Sequence, residues 1–184
     1  PAVHEQEPLA DLELHLLGTT GLQAADGTDV RSVLAQPKRF ALLAHLALAA
    51  PGRLQRRDSL LAMFWPELDA DRARAALRDS LYFLRRHLGE AIVTRGGEEV
   101  GVDGARLRVD AVEFLQAVRQ ARHADAVAAY TGDLLTGFNL PGAPDFEAWL
   151  DAERTRLRGL AADAALGAAA GADGADAVRL CRRA

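Results

Sequence analysis

From Arg56 to Gly89 the chain reads RRDSLLAMFWPELDADRARAALRDSLYFLRRHLG, and one dipeptide, Trp65-Pro66, divides it. Proline removes a backbone donor and restrains the residue before it, so one continuous helix cannot cross that point. Two helical patterns remain. A short one covers 57–64, and a long one covers 70–88, with Asp69 as its N-cap and Gly89 as its terminator. At 100° per residue, Leu77, Leu81, Leu84 and Leu88 form one apolar seam flanked by Ala73 and Arg74. The opposite face carries Arg72, Ala75, Asp79, Tyr82 and Arg86, with Arg78 beside them. A short helix, a turn and a long helix with a cationic outer face are the parts that dock in a DNA major groove.

The flanking segments complete that pattern. Residues 12–17, LELHLL, alternate as a strand does. Asp26-Gly27 is a turn between further extended runs at 21–24 and 28–33, so a small antiparallel N-terminal sheet is expected. Pro37 opens a helix through Phe40, Leu42, Leu43, Leu46 and Leu48 that stops at Pro51-Gly52. After the long helix come 92–95, the Gly96-Gly97 turn and 98–102, a hairpin pattern, with 107–109 as a last short strand. Sheet, three helices and hairpin is the order of a winged helix-turn-helix, placed at 12–109. From Asp110 onward strand alternation disappears. Asp110 with Glu113 reads as a capping box, followed by helices over about 124–130, 146–170 and from 175. Helices paired by short loops suggest a tetratricopeptide-like all-α domain at 110–184, truncated at its C-terminus. The fold class is therefore mainly α with small antiparallel sheets.

Charge supports a polyanion partner only in one window. The chain carries −4 overall, yet residues 31–95 hold twelve basic and six acidic side chains, net +6, which leaves −10 elsewhere. Arginine bonds guanine in a bidentate way and a carboxylate accepts from cytosine, so Arg72, Arg78, Asp79 and Tyr82 are the expected base readers. Arg72 and Arg78 lack an acid four residues away. Lys38, Arg39, Arg56 and Arg57 lie at helix starts, where cations oppose the helix dipole unless an anion is near. They are assigned to phosphates, with Arg85, Arg86 and Arg95. Glu98 and Glu99 at the hairpin tip oppose phosphate contact.

No catalytic constellation is present. There is neither a phosphate-binding GxxxxGK(S/T) loop nor a GxSxG elbow. His4, His15, His45, His87 and His123 are scattered without metal-ligand spacing, and His45 reads as a core or boundary residue. Cys181 stands alone. No enzyme activity, cofactor or metal is expected, no run is long enough to span a membrane, and the cytoplasm is the expected compartment.

Two segments then point to one family. The first is LLAMFWPELDADRARAALRDSLYFLRRHLG; the second is YTGDLLTGF at 130–138 with FEAWLDAERTRL at 146–157. In combination they resemble the bacterial transcriptional activation domain family, the DNA-binding half of the Streptomyces antibiotic regulatory proteins, from about Leu12 to the end. The resemblance implies an OmpR-type winged helix and a tetratricopeptide-like helical domain. It implies a transcriptional activator that binds direct repeats near promoters and contacts RNA polymerase, and a homodimer on double-stranded DNA fits that role. It places Arg72, Arg78, Asp79, Tyr82 and Arg86 on the recognition helix. Tyr130, Asp133, Trp149, Glu153 and Arg154 fall on the activation-domain signature, where they are expected to be structural. The rival expectation is a protein-interaction module whose winged helix no longer binds DNA.

Overall fold

The computed structural model describes residues 11–49 and 52–170. Strands β1 (Leu12–His15) and β2 (Gly21–Ala24) pair antiparallel, with Leu14 opposite Leu22. Alternation turns Leu12, Leu14 and Leu22 into the core. Residues 28–30 continue the meander, since Ala24 N donates to the Thr28 carbonyl and Val30 N to that of Leu22. The expected third strand stops there, because Arg31–Leu34 coils into a short helix, α1, that buries Val33.

Helix α2 (Pro37–Leu48) has Pro37 in its first turn and is the most enclosed helix, with Phe40 through Ala44 all buried. A two-residue strand, β3 (Gln55–Arg56), leads into α3 (Arg57–Phe64), and Pro66 keeps α3 from running into α4 (Ala70–Leu88). A single 3-10 turn joins α4 to the hairpin β4 (Ile92–Arg95) and β5 (Glu99–Val102). The hairpin pairs antiparallel, with Arg95 opposite Glu99, and β3 lies on its other edge.

The last strand, β6 (Leu107–Val109), corrects the expected sheet. It does not extend the hairpin but lies parallel to β1, with Leu14 opposite Val109, so the N-terminal sheet is mixed in the order β2-β1-β6. A parallel pair needs a long crossover, and here everything from β2 to β5 supplies it. Alternation inside a strand carries no information about such a partner.

β6 runs directly into α5 (Asp110–Arg119), followed by α6 (His123–Ala129) and α7 (Pro144–Ala170). The expected capping box does not form. Asp110 is the first helical residue, and its carboxylate accepts instead from the backbone N–H of Leu16 (2.9 Å) and Leu17 (3.1 Å), besides its own neighbour Ala111 (2.6 Å). Glu113 pairs with Arg108. The same stretch of chain is zipped to the loop after α6. Gly18 N donates to the Asp133 carbonyl (3.0 Å), Leu135 N to that of Leu16 (2.7 Å), and Thr131 Oγ1 to that of Leu17 (2.8 Å). Gly132 permits this approach, since a Cβ there would lie 2.9 Å from Gly18 Cα. One contiguous core links both halves, from Leu12 through Phe64 and Phe114 to Ala165. The expected helix from 175, its preceding glycine turn, His4 and Cys181 lie outside the described residues.

Candidate nucleic-acid interface

Helix α4 forms for reasons visible in its own sequence. Asp69 accepts a hydrogen bond from Arg72 N at 2.9 Å, satisfying one orphan donor of the first turn. Gly89 ends the helix at φ 57°, a conformation that costs glycine little. Ala73, Leu77, Leu81, Leu84 and Leu88 are buried. Ser80 joins them by donating its hydroxyl to the Ala76 carbonyl at 2.8 Å. Arg74 does not flank the seam as expected; it points outward and pairs with Asp71 at 3.2 Å.

The opposite face is open. The side chains of Arg72, Arg78 and Asp79 are 78%, 71% and 69% exposed. Tyr82 is 70% exposed, one of two large apolar side chains so placed among the described residues. Arg86 is exposed beside it. Arg72 and Arg78 are not unpaired, however. Arg72 Nε lies 3.3 Å from the cap residue Asp69, and Arg78 Nε lies 3.8 Å from Asp79. Their acids lie three residues and one residue away, not four. Exposed pairs of this kind are worth only about 0–1 kcal/mol, so an incoming phosphate or base edge displaces them readily.

The cations assigned to phosphates divide into two groups. Arg56, Arg86 and Arg95 are exposed, while Arg85 donates to Thr94 Oγ1 at 2.9 Å and so ties α4 to β4. Lys38 and Arg39 are engaged by the protein. Lys38 Nζ is 3.3 Å from Glu67 and 5.7 Å from the centre of the Trp65 ring. Glu67 is held below the usual carboxylate range by its own backbone N–H and then by Lys38. Arg39 stacks on Phe83, 4.2 Å from the ring centre. The anion expected to offset Lys38 thus comes from the loop between α3 and α4. Arg57 is half-buried, and its Nε has no hydrogen-bond partner. Glu67, Phe83 and Thr94 escaped the sequence because each meets its partner across a tertiary interface. Ser32 and His87, 3.1 Å apart between α1 and the end of α4, escaped for the same reason.

The second set of residues is internal scaffolding. Tyr130 packs on Phe114, with ring centres 5.3 Å apart, and its hydroxyl donates to Asp133 Oδ1 at 3.1 Å. Burial, with Asp133 adding to it, pushes the tyrosine up to about 12. Arg158, which the sequence did not single out, grips Asp133 through Nε (2.6 Å) and Nη2 (2.5 Å) and holds its carboxyl below the usual range. Arg154 clamps the preceding loop, donating to the carbonyls of Leu134 (2.9 Å), Leu135 (2.7 Å) and Phe138 (3.0 Å). Glu153 does not share that task; it pairs with Arg156 at 2.7 Å. Trp149 meets His45 of α2, with ring centres 4.6 Å apart, and packs on Phe146. Among the described residues no cluster of side chains could hold a metal ion, and no helix is long and apolar enough to cross a membrane.

No family model matches the chain, and no curated protein matches it. A solved structure does. "Mycobacterium tuberculosis EmbR in complex with low affinity phosphopeptide" superposes with a TM-score of 0.60 at 21% sequence identity, over 89% of this chain and 47% of that one. This chain therefore spans about half the length of that protein. At this identity the likeness establishes the fold: the arrangement of sheets, helices and hairpin described above is shared with the EmbR chain.

Proposed function

We propose that this chain is a sequence-specific DNA-binding transcriptional regulator of the bacterial transcriptional activation domain family. In this proposal residues 12–109 are the winged helix-turn-helix and 110–184 the tetratricopeptide-like activation half. The observation that carries the proposal is the outer face of α4. It stands clear of the core, presents Arg72, Arg78, Asp79, Tyr82 and Arg86 to solvent, and is followed by an antiparallel hairpin. Arg72, Arg78, Asp79 and Tyr82 read base edges in the major groove. Arg56, Arg85, Arg86 and Arg95 contact phosphates, with half-buried Arg57 beside them and with Lys38 and Arg39 as reserves that must first leave their internal partners. The family resemblance favours a cytoplasmic activator that binds direct repeats as a homodimer and contacts RNA polymerase, and the fold shared with EmbR agrees with the architecture that resemblance implies. No enzymatic step is assigned.

A protein-interaction module is the second reading. The ion pairs of Arg72 and Arg78 and the acidic residues Glu98 and Glu99 favour it. Anisotropy titration against fragmented DNA from the source genome, at low and high salt, separates the two. A DNA reader enriches one repeat-containing fragment and loses affinity steeply with salt, because each neutralised phosphate releases counterions. Flat salt dependence and no enriched fragment would leave the interaction module standing.

A further inference from the structure

Helix α5 carries two apolar stripes, and the core uses one. Ala111, Phe114 and Ala117 are buried, while Val112, Leu115 and Val118 remain partly open. At 100° per residue, Val112, Leu115 and Arg119 fall within about 60° of one another. This second stripe lines a groove of about 420 Å³ together with Leu48 at the end of α2 and Arg156 and Leu160 of α7. None of the lining residues belongs to α3, α4 or the hairpin. The lining of the groove is apolar apart from Arg119 and Arg156, and Arg156 is paired with Glu153.

The charge in that lining identifies the occupant. Between residues 96 and 170, Arg106, Arg108, Arg122, Arg154, Arg156 and Arg158 each lie within 4.0 Å of a carboxylate. Among the described residues of this acidic half, Arg119 alone has no acidic partner. An arginine left without an acid beside a half-buried leucine and two half-buried valines has both halves of a recognition site. We propose that this groove docks an amphipathic helix of a partner protein, one that lays apolar side chains on Val112, Leu115 and Leu160 and sets a carboxylate against Arg119. The ten residues of α5 extend about 15 Å, the length of two to three turns of such a helix.

A fluorescein-labelled amphipathic peptide of about 15 residues, built from Leu, Ala and Glu, is titrated into the full chain, beside a twin with Lys in place of Glu. The acidic peptide binds saturably and the basic twin binds weakly. Arg119→Glu, at an exposed position and with the fold checked by circular dichroism, lowers affinity for the acidic peptide about tenfold and raises it for the basic one. Leu115→Ser removes binding of both, with circular dichroism confirming the fold. Equal binding of the two peptides, no effect of Arg119→Glu, or no saturable binding at all would each overturn the proposal. The titration contains no DNA, so its failure leaves the α4 assignment untouched.

Discussion

His45 sits where α2 meets α7, and its surroundings set a measurable pH dependence. Its ring lies 4.6 Å from Trp149 and 5.9 Å from Phe64, and its Nδ1 is buried without a hydrogen-bond partner. Burial pulls the imidazole from its ordinary 6.5 down to about 4, with Glu153 acting weakly the other way. The folded state therefore holds the neutral ring, while the unfolded chain takes up a proton near 6.5. Between those two values the unfolded state binds more protons, so the contribution is complete above about pH 6.5 and is lost as pH falls toward 4. At roughly 1.4 kcal/mol per pKa unit, the loss is about 2 kcal/mol between pH 7 and pH 5 and about 3 by pH 4. The perturbation is His45→Leu, which keeps an apolar side chain of similar size and removes both the proton site and the unpaired nitrogen. Urea unfolding of the native chain and the variant is followed at pH 7 and pH 5. Relative to the native chain, the variant gains about 2 kcal/mol on going from pH 7 to pH 5. Other groups, including Asp110, titrate in both proteins and cancel from the difference. If the two lose stability in parallel, His45 is not the group that titrates, and its neutral burial between the two rings is refuted.

Four further outcomes are expected. Arg78→Ala weakens specific DNA binding by about 1–3 kcal/mol and relaxes selectivity at one base position; unchanged anisotropy curves would remove Arg78 from the reading face. Leu81→Ala, opening a cavity beneath α4, lowers stability by about 2–5 kcal/mol in a denaturant titration, and an unmoved midpoint would show the seam to be misassigned. Arg154→Ala frees three loop carbonyls and costs about 1–3 kcal/mol, with amide exchange faster across 134–138; a silent exchange profile there would contradict the clamp. Asp110→Asn replaces one accepting oxygen by a donor facing the Leu16 and Leu17 amides, and a stability loss of about 1–3 kcal/mol is expected, against none if those bonds are incidental.

The elements of this protein were legible because their signals are local. Asp69, Pro66 and Gly89 bound α4, Pro37 opens α2, and Gly96-Gly97 turns the hairpin. Each acts through backbone geometry or a hydrogen bond within a few residues. The leucine seam of α4 was equally plain, since a helix's period selects its buried face whatever lies opposite. Four of the five expected exposed side chains on that helix, Arg72, Asp79, Tyr82 and Arg86, followed from the same period, and so did Arg78 beside them. Ala75 alone is half-buried.

What the sequence could not decide were meetings between distant residues. β6 pairs parallel with β1 across about half of the chain, and Asp110 turns from an expected helix cap into an acceptor for the amides of Leu16 and Leu17, just past β1. Lys38 finds Glu67, Arg39 finds Phe83, and Arg158 finds Asp133, so cations that look alike in sequence differ in how freely they can reach a ligand. The sequence by itself determined which faces are apolar and where helices start and stop, because those depend on neighbours in the chain. Only the tertiary structure decided which charges are already satisfied and which, like Arg119, are not, because pairing energy depends on distance in space, and pairs such as Lys38–Glu67 and Arg158–Asp133 join residues far apart in the chain.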